Sequence, residues 1–236
     1  MNYGLNLPSL ESVDVRGKRV FVRCDFDVSL ESEAGSKNHE SRIRDDTRLV
    51  SGISTIEYLL ENGATVIAAG HLGRPSLPNS KLKTQNSKLS LEPIAEWFAE
   101  EFPDSSFEQA KLGEFKAWKI KENFYILENL RFHKEEEENS RSFAESLASL
   151  ADLYVNEAFG ASHRPHASIA GVPRLLPHFA GYHFQKEVKV LGSIIENPRK
   201  PFTFIVGGAK IETKLPLISR MHKFADYVLV GGELAD

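Results

Sequence analysis

The chain of 236 residues contains a single cysteine, no apolar run of membrane-spanning length and no excess of positive charge. One cysteine excludes an internal disulfide framework and a zinc site built on cysteines. No apolar stretch approaches the roughly 20 residues of a membrane span, and the N-terminus lacks the basic and apolar regions of a signal peptide, so we expect a cytoplasmic protein. A net charge of −4 gives no general attraction for nucleic acid, so bound anions must be held by local basic residues.

Familiar enzyme signatures and internal repeats are missing as well. The sequence has no Gly-x-Ser-x-Gly nucleophile elbow, no P-loop and no Gly-x-Gly-x-x-Gly dinucleotide fingerprint. No repeat of fixed period is visible. What the sequence does have is 41% apolar and 26% charged residues, which is ordinary for a soluble globular protein with a core of normal size.

Apolar runs of strand length alternate with segments of helical period. The runs are rich in Val, Ile and Phe, which is typical of buried parallel strands. They lie at residues 19–24, 65–69, 124–127, 153–155, 201–206 and 227–230. This alternation predicts an α/β fold with a doubly wound parallel sheet in a Rossmann-like three-layer α/β/α arrangement, followed by a partial second α/β domain.

Five helices are predicted between these strands. Asp46 can cap the first, which Gly63 closes at its C′ position. Ser90 can cap the second, with Ile94, Trp97 and Phe98 as its apolar stripe. The others are predicted over residues 140–151, 185–196 and 211–224.

Residues between these elements are predicted to be irregular or exposed. Segments 31–41 and 76–90 are polar and rich in turn formers, so we expect surface loops. The acidic run at 134–138 is expected to be a solvated loop or helix start. Residues 197–201 break the fourth helix and mark a domain boundary. Cys24, inside a strand-like run, is expected to be a buried, inert thiol.

Anion-binding side chains follow four of the predicted strands. They occur in the segments 23–27, 70–75, 128–133 and 156–166, and Arg48 adds a further cation at a helix start. Parallel strands bring their carboxyl-end loops to one edge of the sheet, where α/β proteins bind ligands. Arginine forks pair with carboxylates and phosphates in two-point geometry. The pattern therefore predicts a site for a small anion.

A second, weaker signal lies at residues 206–214. Gly207 and Gly208 separate a predicted strand from a helix, and Lys210 and Lys214 can share one helix face. Glycines let a backbone approach a phosphate at a helix start. The same glycines are equally consistent with an ordinary tight turn.

These motifs together resemble the phosphoglycerate kinase family, nearly from end to end of the chain. The matching segments are Asp25-Phe26-Asp27-Val28, Asp45-Asp46-Thr47-Arg48, His71-Leu72-Gly73-Arg74-Pro75, Glu128-Asn129-Leu130-Arg131-Phe132-His133, Asn156-Glu157-Ala158-Phe159-Gly160, His163-Arg164-Pro165-His166 and Gly207-Gly208-Ala209-Lys210. The resemblance implies a transferase of glycolysis that moves a phosphoryl group between 1,3-bisphosphoglycerate and ADP, giving 3-phosphoglycerate and ATP. It also implies Mg²⁺ with the nucleotide, hinge bending between two domains, a usually monomeric state and a cytoplasmic location.

The resemblance also implies roles for individual residues. Substrate would be held by Asp25, Asp27, Arg48, His71, Leu72, Gly73, Arg74, Arg131 and Arg164. Nucleotide would be held by Gly208, Ala209, Lys210 and Lys214, and catalysis would fall to Arg48 and Lys214. No protein ligand for a metal is identified. The domains would be a phosphoglycerate-binding domain at 1–183, a hinge at 184–200 and the start of a nucleotide-binding domain at 201–236.

The chain departs from the family pattern at several positions. Asp27 stands where Asn is usual, which adds negative charge near an anionic ligand and is expected to weaken its binding. Ser29 replaces a usual Pro, and Gly231-Gly232-Glu233 replaces a common triple glycine. The sequence stops inside the expected nucleotide domain, so we expect an incomplete chain that is inactive alone. The alternatives are a non-catalytic phosphoglycerate-binding module and one half of a split enzyme, with residues 227–230 as its docking edge.

Overall fold

The computed structural model describes residues 7–32, 41–75, 87–208 and 211–234. They form two compact units, one of Leu7–Gln185 and one that begins at Lys186. The strands are β1 (Arg19–Arg23), β2 (Leu30–Ser32), β3 (Ser41–Ile43), β4 (Thr65–Ala69), β5 (Glu108–Leu112), β6 (Phe115–Lys121), β7 (Phe124–Leu127), β8 (Leu153–Asn156), β9 (His178–Ala180), β10 (Thr203–Gly207) and β11 (Tyr227–Gly231). The α-helices are α1 (Thr47–Glu61), α2 (Glu92–Glu101), α3 (Lys134–Glu137), α4 (Arg141–Ala148), α5 (Tyr182–Glu196) and α6 (Ile211–Met221).

In the described part of the first unit, seven strands form one sheet in the order β5-β6-β7-β4-β1-β8-β9. Strands β7, β4, β1, β8 and β9 are parallel to one another, whereas β5 and β6 run antiparallel. The α/β prediction is confirmed, but the sheet is mixed rather than wholly parallel. The antiparallel part arises because the connections at 113–114 and 122–123 are too short for a crossover helix.

Both faces of this sheet are covered, which gives the predicted three-layer arrangement. Successive residues of β1 enter different cores: Val20 and Val22 pack in the cluster that includes residues of α1 and α2. Phe21 packs in the cluster that includes residues of α4. Burying each such side chain stabilises the fold by about 1.5–3 kcal/mol. The central strands are therefore a firm base for the loops that follow them.

The predicted helices are present, with shifted ends. Helix α1 follows Asp46, whose side chain makes no capping bond, and Gly63 has the left-handed φ of 76° expected after a helix. Leu91 is the N-cap of α2 in place of Ser90, although the Ser90 hydroxyl still accepts the Glu92 amide. The helices predicted at 140–151 and 211–224 end early, at Ala148 and Met221. Among the described residues, no helix is both long and apolar enough to cross a bilayer.

Several strands were not predicted. Strands β5 and β6 have mixed polar and apolar sequences, and β9 is only three residues long. The ends of the predicted loop at 31–41 form the antiparallel pair β2-β3, while residues 33–40 lie outside the described residues. Most of the predicted loop at 76–90 also lies outside them.

Cys24 follows β1 directly and is 3% exposed. Its thiol contacts the Val22 carbonyl oxygen at 3.6 Å. Burial raises the pKa of the Cys24 thiol far above its usual value, so the thiolate does not form near neutral pH. The prediction of a buried cysteine is confirmed.

The second unit contains the parallel pair β10-β11 and the helix α6. Its strands carry exposed apolar side chains: Ile205 is 73% exposed and Leu229 is 52% exposed. Large exposed apolar surface on a sheet is typical of a contact area for further structure. Strands and a helix thus alternate in this smaller unit, as the sequence predicts.

Candidate functional site

One cleft lies at the carboxyl edge of the parallel strands of the first unit. It is lined by Arg23, Asp25, Asp27, Arg48, His71, Arg131, Gly160, Ala161 and Arg164. We call it the cationic cleft, because four arginines face two aspartates there.

Four neighbouring strands position these side chains. Arg23 ends β1, His71 is the second residue after β4, and Arg131 lies in a short 3-10 helix that follows β7. Gly160 belongs to a 3-10 helix after β8. Because β7, β4, β1 and β8 are adjacent and parallel, the loops that follow them meet at one edge, as their places in the sequence predict. Arg48 joins them from the first turn of α1.

A closed ring of hydrogen bonds holds Arg23, which is 1% exposed. Its Nε donates to Ser168 Oγ at 2.9 Å and its Nη2 donates to His71 Nδ1 at 2.9 Å. Ser168 Oγ donates to Glu136 Oε1 at 2.5 Å, and His71 Nε2 lies 2.7 Å from the same oxygen. Arg23 Nη1 also donates to the Cys24 carbonyl. A buried guanidinium is thereby supplied with acceptors in three directions.

This ring fixes the tautomer of His71. Arg23 can only donate, so His71 Nδ1 accepts and the proton resides on Nε2, which donates to Glu136. Burial, together with the Arg23 charge, lowers the pKa of His71 to about 3. Burial alone would raise the pKa of Glu136, but the hydrogen bond from His71, the Arg23 charge and the hydrogen bond from Ser168 together lower that pKa. The contact is therefore a neutral imidazole donating to a carboxylate.

The neutral state of His71 predicts loss of stability in acid. Its pKa in the folded protein, about 3, lies below the roughly 6.5 of an unfolded chain, so the unfolded state binds the extra proton between these values. Lowering the pH from 7 to 5 should therefore cost about 2 kcal/mol of unfolding free energy through this residue. Urea unfolding at pH 7 and pH 5 should show that the unfolding free energy of His71→Gln falls less between these pH values than that of wild type.

The matched control for that measurement is His178→Gln, which replaces an exposed histidine in the same unit. It should keep the wild-type dependence on pH. Equal pH dependence of wild type and His71→Gln would contradict the neutral buried imidazole.

Arg131 and Asp27 are tied to the same glycine. Arg131 Nη1 donates to the Gly73 carbonyl at 2.6 Å, and Asp27 Oδ1 accepts from the Gly73 amide at 2.9 Å. Gly73 has a φ of 58°, a conformation that glycine adopts without strain. Burial lowers the pKa of Arg131, although the Glu137 carboxylate, 2.9 Å from Arg131 Nε, opposes this. Asp27 thus makes a bond that an asparagine oxygen could also make.

Arg48 and Asp25 form the outer part of the cleft. Arg48 Nη1 lies 2.9 Å and 3.1 Å from the two carboxylate oxygens of Asp25. Asp25 also faces Gly160, where an added Cβ would lie 3.5 Å from Asp25 Oδ2. The recorded bonds of Arg48 use one terminal nitrogen, so its Nε and Nη2 remain as donors for a ligand in the described structure.

Three predicted substrate residues do not line the cleft. Leu72 is buried, and its backbone amide and carbonyl bond to the Asn129 side chain. Gly73 shapes the loop through the contacts described above. Arg74 is exposed at the end of a described segment. Their predicted roles in substrate binding stay predictions.

The predicted nucleotide residues belong to the second unit. Gly208 follows β10 with a φ of 128°, and a Cβ added there would lie 3.7 Å from Lys214 Cε. Lys214 lies in the first turn of α6. Because Gly208 has no side chain, its backbone can approach a phosphate, and Lys214 beside it supplies a positive charge. Ala209 and Lys210 lie outside the described residues.

One group of described side chains has the composition of a metal site. His71, Glu136 and His166 are buried and offer ligand atoms within 4.8 Å of one another. Zinc takes such ligands, but the Arg23 guanidinium already bonds His71, and a buried positive charge opposes a cation there. Magnesium prefers oxygen ligands and keeps several waters, so this group does not fit Mg²⁺.

Sequence reasoning assigned no role to several residues around the cleft, although Arg23 stands in one of the predicted anion-binding segments. The signal for Arg23 was a cation inside an apolar strand run, where a charge must have partners. Glu136 had no signal, because it stands in a row of four glutamates; it is 0% exposed, so the run is not wholly solvated as expected. Glu157, also buried, accepts the His183 and Phe184 amides at the start of α5, which explains why that helix begins before residue 185.

Comparison with known proteins agrees with this architecture. The sequence profile of the family described as phosphoglycerate kinase matches residues 10–236. The phosphoglycerate kinase of Desulforudis audaxviator is 41% identical over 233 residues, which are 97% of this chain and 56% of that protein. That of Finegoldia magna is 39% identical over 239 residues, or 98% of this chain and 57% of the relative. The chain thus spans a little over half the length of these relatives.

Solved structures give the same result. The phosphoglycerate kinase from Coxiella burnetii superposes with a TM-score of 0.77 at 31% identity, covering 96% of this chain and 55% of the other. That from Pyrococcus horikoshii OT3 has a TM-score of 0.78 at 28% identity, covering 97% and 56%. Since the profile match extends over nearly the whole sequence, the chain belongs to the phosphoglycerate kinase family.

Proposed function

We propose that this chain takes part in the phosphoglycerate kinase reaction. That reaction transfers a phosphoryl group between 1,3-bisphosphoglycerate and ADP to give 3-phosphoglycerate and ATP, a carboxyl-group phosphotransferase step of glycolysis. The observation that carries the proposal is the cationic cleft, where four guanidinium groups meet at the carboxyl edge of parallel strands. Such a group of arginines suits a ligand that carries both a phosphate and a carboxylate.

The cleft residues would divide the work of holding the substrate. Arg131 and Arg164 would bind its anionic groups, while Asp25 and Asp27 would accept from its hydroxyl group. Asp27 is already committed to the Gly73 amide through one oxygen, so its other oxygen would face the ligand. His71 has both ring nitrogens bonded within the protein, so it would support Arg23 and contribute to the wall of the cleft.

Arg48 would act on the group in transfer. Phosphoryl transfer depends on positioning and on stabilising charge more than on covalent help from the protein. Arg48 is held by Asp25 through one nitrogen and keeps further donors at the open side of the cleft. Closure of the site would exclude water, which would otherwise hydrolyse the acyl phosphate.

The second unit would supply the nucleotide contacts. Gly208 and Lys214, together with Ala209 and Lys210, would hold the phosphates, and Lys214 would also meet the transferring group. Mg²⁺ bound with ATP or ADP would supply charge neutralisation on the phosphate oxygens. The exposed glycine at the end of β10 supports this assignment, since no side chain blocks a phosphate there.

Domain roles follow from the same proposal. Residues 1–183 would bind phosphoglycerate, 184–200 would form the hinge, and 201–236 would begin the nucleotide domain. The protein would be cytoplasmic, and monomeric unless a second polypeptide completes it. Exposed Ile205, Tyr227 and Leu229 support such a complement, because the β10-β11 pair leaves apolar side chains uncovered. The chain alone would bind phosphoglycerate without turning it over.

A coupled assay tests this function. The chain is mixed with ADP, Mg²⁺ and 1,3-bisphosphoglycerate, with and without a polypeptide that corresponds to the part of the Finegoldia magna relative that this chain does not cover. We expect turnover only in the mixture, and loss of that turnover in Lys214→Ala. Binding of 3-phosphoglycerate without turnover in any mixture would favour the non-catalytic binding module instead. If the chain neither binds 3-phosphoglycerate nor supports turnover, the kinase proposal and the binding-module alternative are both refuted.

A further inference from the structure

A buried carboxylate lies behind the cationic cleft without lining it. Glu136 is 0% exposed and belongs to the short helix α3. Its neighbour Glu137 has a side chain that is 56% exposed and pairs with Arg131 at 2.9 Å. Of these two consecutive glutamates, Glu137 pairs directly with an arginine of the cleft, whereas Glu136 is buried and bonds to His71 and Ser168.

The side-chain contacts of Glu136 are with segments that contribute to the cleft or adjoin it, and they include His166, whose Nδ1 lies 4.0 Å from Glu136 Oε1. Its Oε1 accepts from His71 Nε2 and Ser168 Oγ, and its Oε2 accepts from the Ser168 amide at 2.9 Å. His71 lies in the loop after β4, and Ser168 lies four residues beyond Arg164. Glu136 thus joins two cleft-forming segments that are far apart in the sequence.

The carboxylate also decides where two protons point. Because Glu136 accepts a hydrogen bond from Nε2–H of His71, Nδ1 is left as an acceptor for Arg23. Because Glu136 also accepts a hydrogen bond from the Ser168 hydroxyl group, the Ser168 oxygen can accept from Arg23 Nε. If Glu136 were protonated, its carboxyl group would itself carry a donor and would no longer hold the protons of His71 and Ser168 away from Arg23. Arg23 would then lose two of its acceptors.

We propose that Glu136 is a positioning residue for the substrate site: it orients His71 and Ser168 so that Arg23 stays fixed at the floor of the cationic cleft. The inference rests on the proposed function, in which this cleft binds 3-phosphoglycerate. Glu136 itself does not touch the substrate. It acts through the ring of hydrogen bonds that ends at Arg23.

A purely electrostatic role predicts the opposite effect. A negative charge near an anion site repels the ligand, so removing it should tighten binding. Positioning predicts weaker binding, because the buried Arg23 guanidinium loses the ordered acceptors that Ser168 and His71 provide. The sign of the change therefore separates the two roles.

Calorimetric titration with 3-phosphoglycerate measures that sign on matched variants. We expect Glu136→Gln to bind about tenfold more weakly than wild type, since charge-assisted hydrogen bonds are lost. Glu137→Gln makes the same chemical change one residue away and should bind at least as tightly as wild type, because Arg131 is released. Ser168→Ala, which removes only one hydroxyl group, should weaken binding severalfold and provides a second variant if Glu136→Gln does not fold.

Nitrogen NMR of the histidine rings gives a readout that a merely structural role would not move. In wild type, His71 should be the Nε2-protonated tautomer from pH 5 to 8, and Glu136→Gln should lose that single state. Binding by Glu136→Gln that equals or exceeds wild type, or a wild-type ring protonated on Nδ1, would overturn the inference. No binding of 3-phosphoglycerate by wild type would instead refute the proposed function, and the ring measurement would still test the role of Glu136 in orienting His71.

Discussion

Replacing Arg131 by alanine should weaken the binding of 3-phosphoglycerate about 100-fold. Arg131 is 7% exposed, and its charge is partly desolvated beside the cleft. An arginine that is already held in place by Gly73 loses little conformational freedom when an anion binds. Loss of a two-point, charge-assisted contact costs roughly 3 kcal/mol, which corresponds to that factor.

The control for Arg131→Ala is Arg141→Ala, which removes the same charge from an exposed pair with Glu145 on α4. It should leave the affinity within about twofold, since distant exposed charges are screened by salt. Urea unfolding should show that both variants are folded under the conditions of the titration. An affinity of Arg131→Ala equal to that of Arg141→Ala would refute the assignment of the cleft.

Asp27→Asn should instead strengthen the binding of 3-phosphoglycerate, by a few-fold. An asparagine oxygen can keep the bond to the Gly73 amide, while the negative charge that faces the anion disappears. Unchanged or weaker binding would show that the Asp27 charge is neutralised or turned away when the ligand binds.

Gly181→Ala should destabilise the first unit by about 3 kcal/mol. A Cβ at residue 181 would lie 1.9 Å from Glu157 Oε2. That carboxylate cannot move aside cheaply, because it is buried and accepts from Thr55 Oγ1 at 2.8 Å and from the His183 amide at 3.0 Å. Overpacking costs about 1–3 kcal/mol, and breaking buried hydrogen bonds adds to it.

Gly52→Ala is the matched control for Gly181→Ala. Its added Cβ approaches the same glutamate but stays 3.8 Å from Glu157 Cγ, an ordinary contact. Gly52 lies inside α1, so alanine should stabilise the helix by up to about 1 kcal/mol. Unfolding is followed by the fluorescence of Trp97 and Trp118, which both belong to this unit. Equal stability of Gly181→Ala and Gly52→Ala would contradict the close packing of the Glu157 carboxylate against residue 181.

The sequence was most informative where burial alone decides the structure. The run at 65–69 is apolar after Thr65 and becomes β4 with those bounds, because a central parallel strand is covered on both faces. Because His71 follows this strand, the sequence also predicted that the cleft lies at the carboxyl edge of the sheet. Strands β5 and β6 were missed, because their sequences mix Lys, Glu and Gln with apolar residues and they are set by pairing with β7.

The same limit applies to the candidate site. Arg48, Arg131 and Arg164 could be named from motifs, since cations after strands or at helix starts are visible in the sequence. Glu136 could not, because only tertiary packing distinguishes it from Glu135 and Glu137 in one acidic run. Likewise, the sequence suggested that Asp27 would disturb binding, whereas its bond to Gly73 depends on a turn brought close in space.

An amide NMR titration of the chain with 3-phosphoglycerate tests the central claim most directly. If the cationic cleft is the substrate site, saturable shifts should appear at the backbone amides of Gly73, Gly160 and Ala161. The same residues should not shift when Arg131→Ala is titrated over the same range. Shifts that are absent from this edge of the sheet, or that are strongest among residues 201–234, would contradict the account.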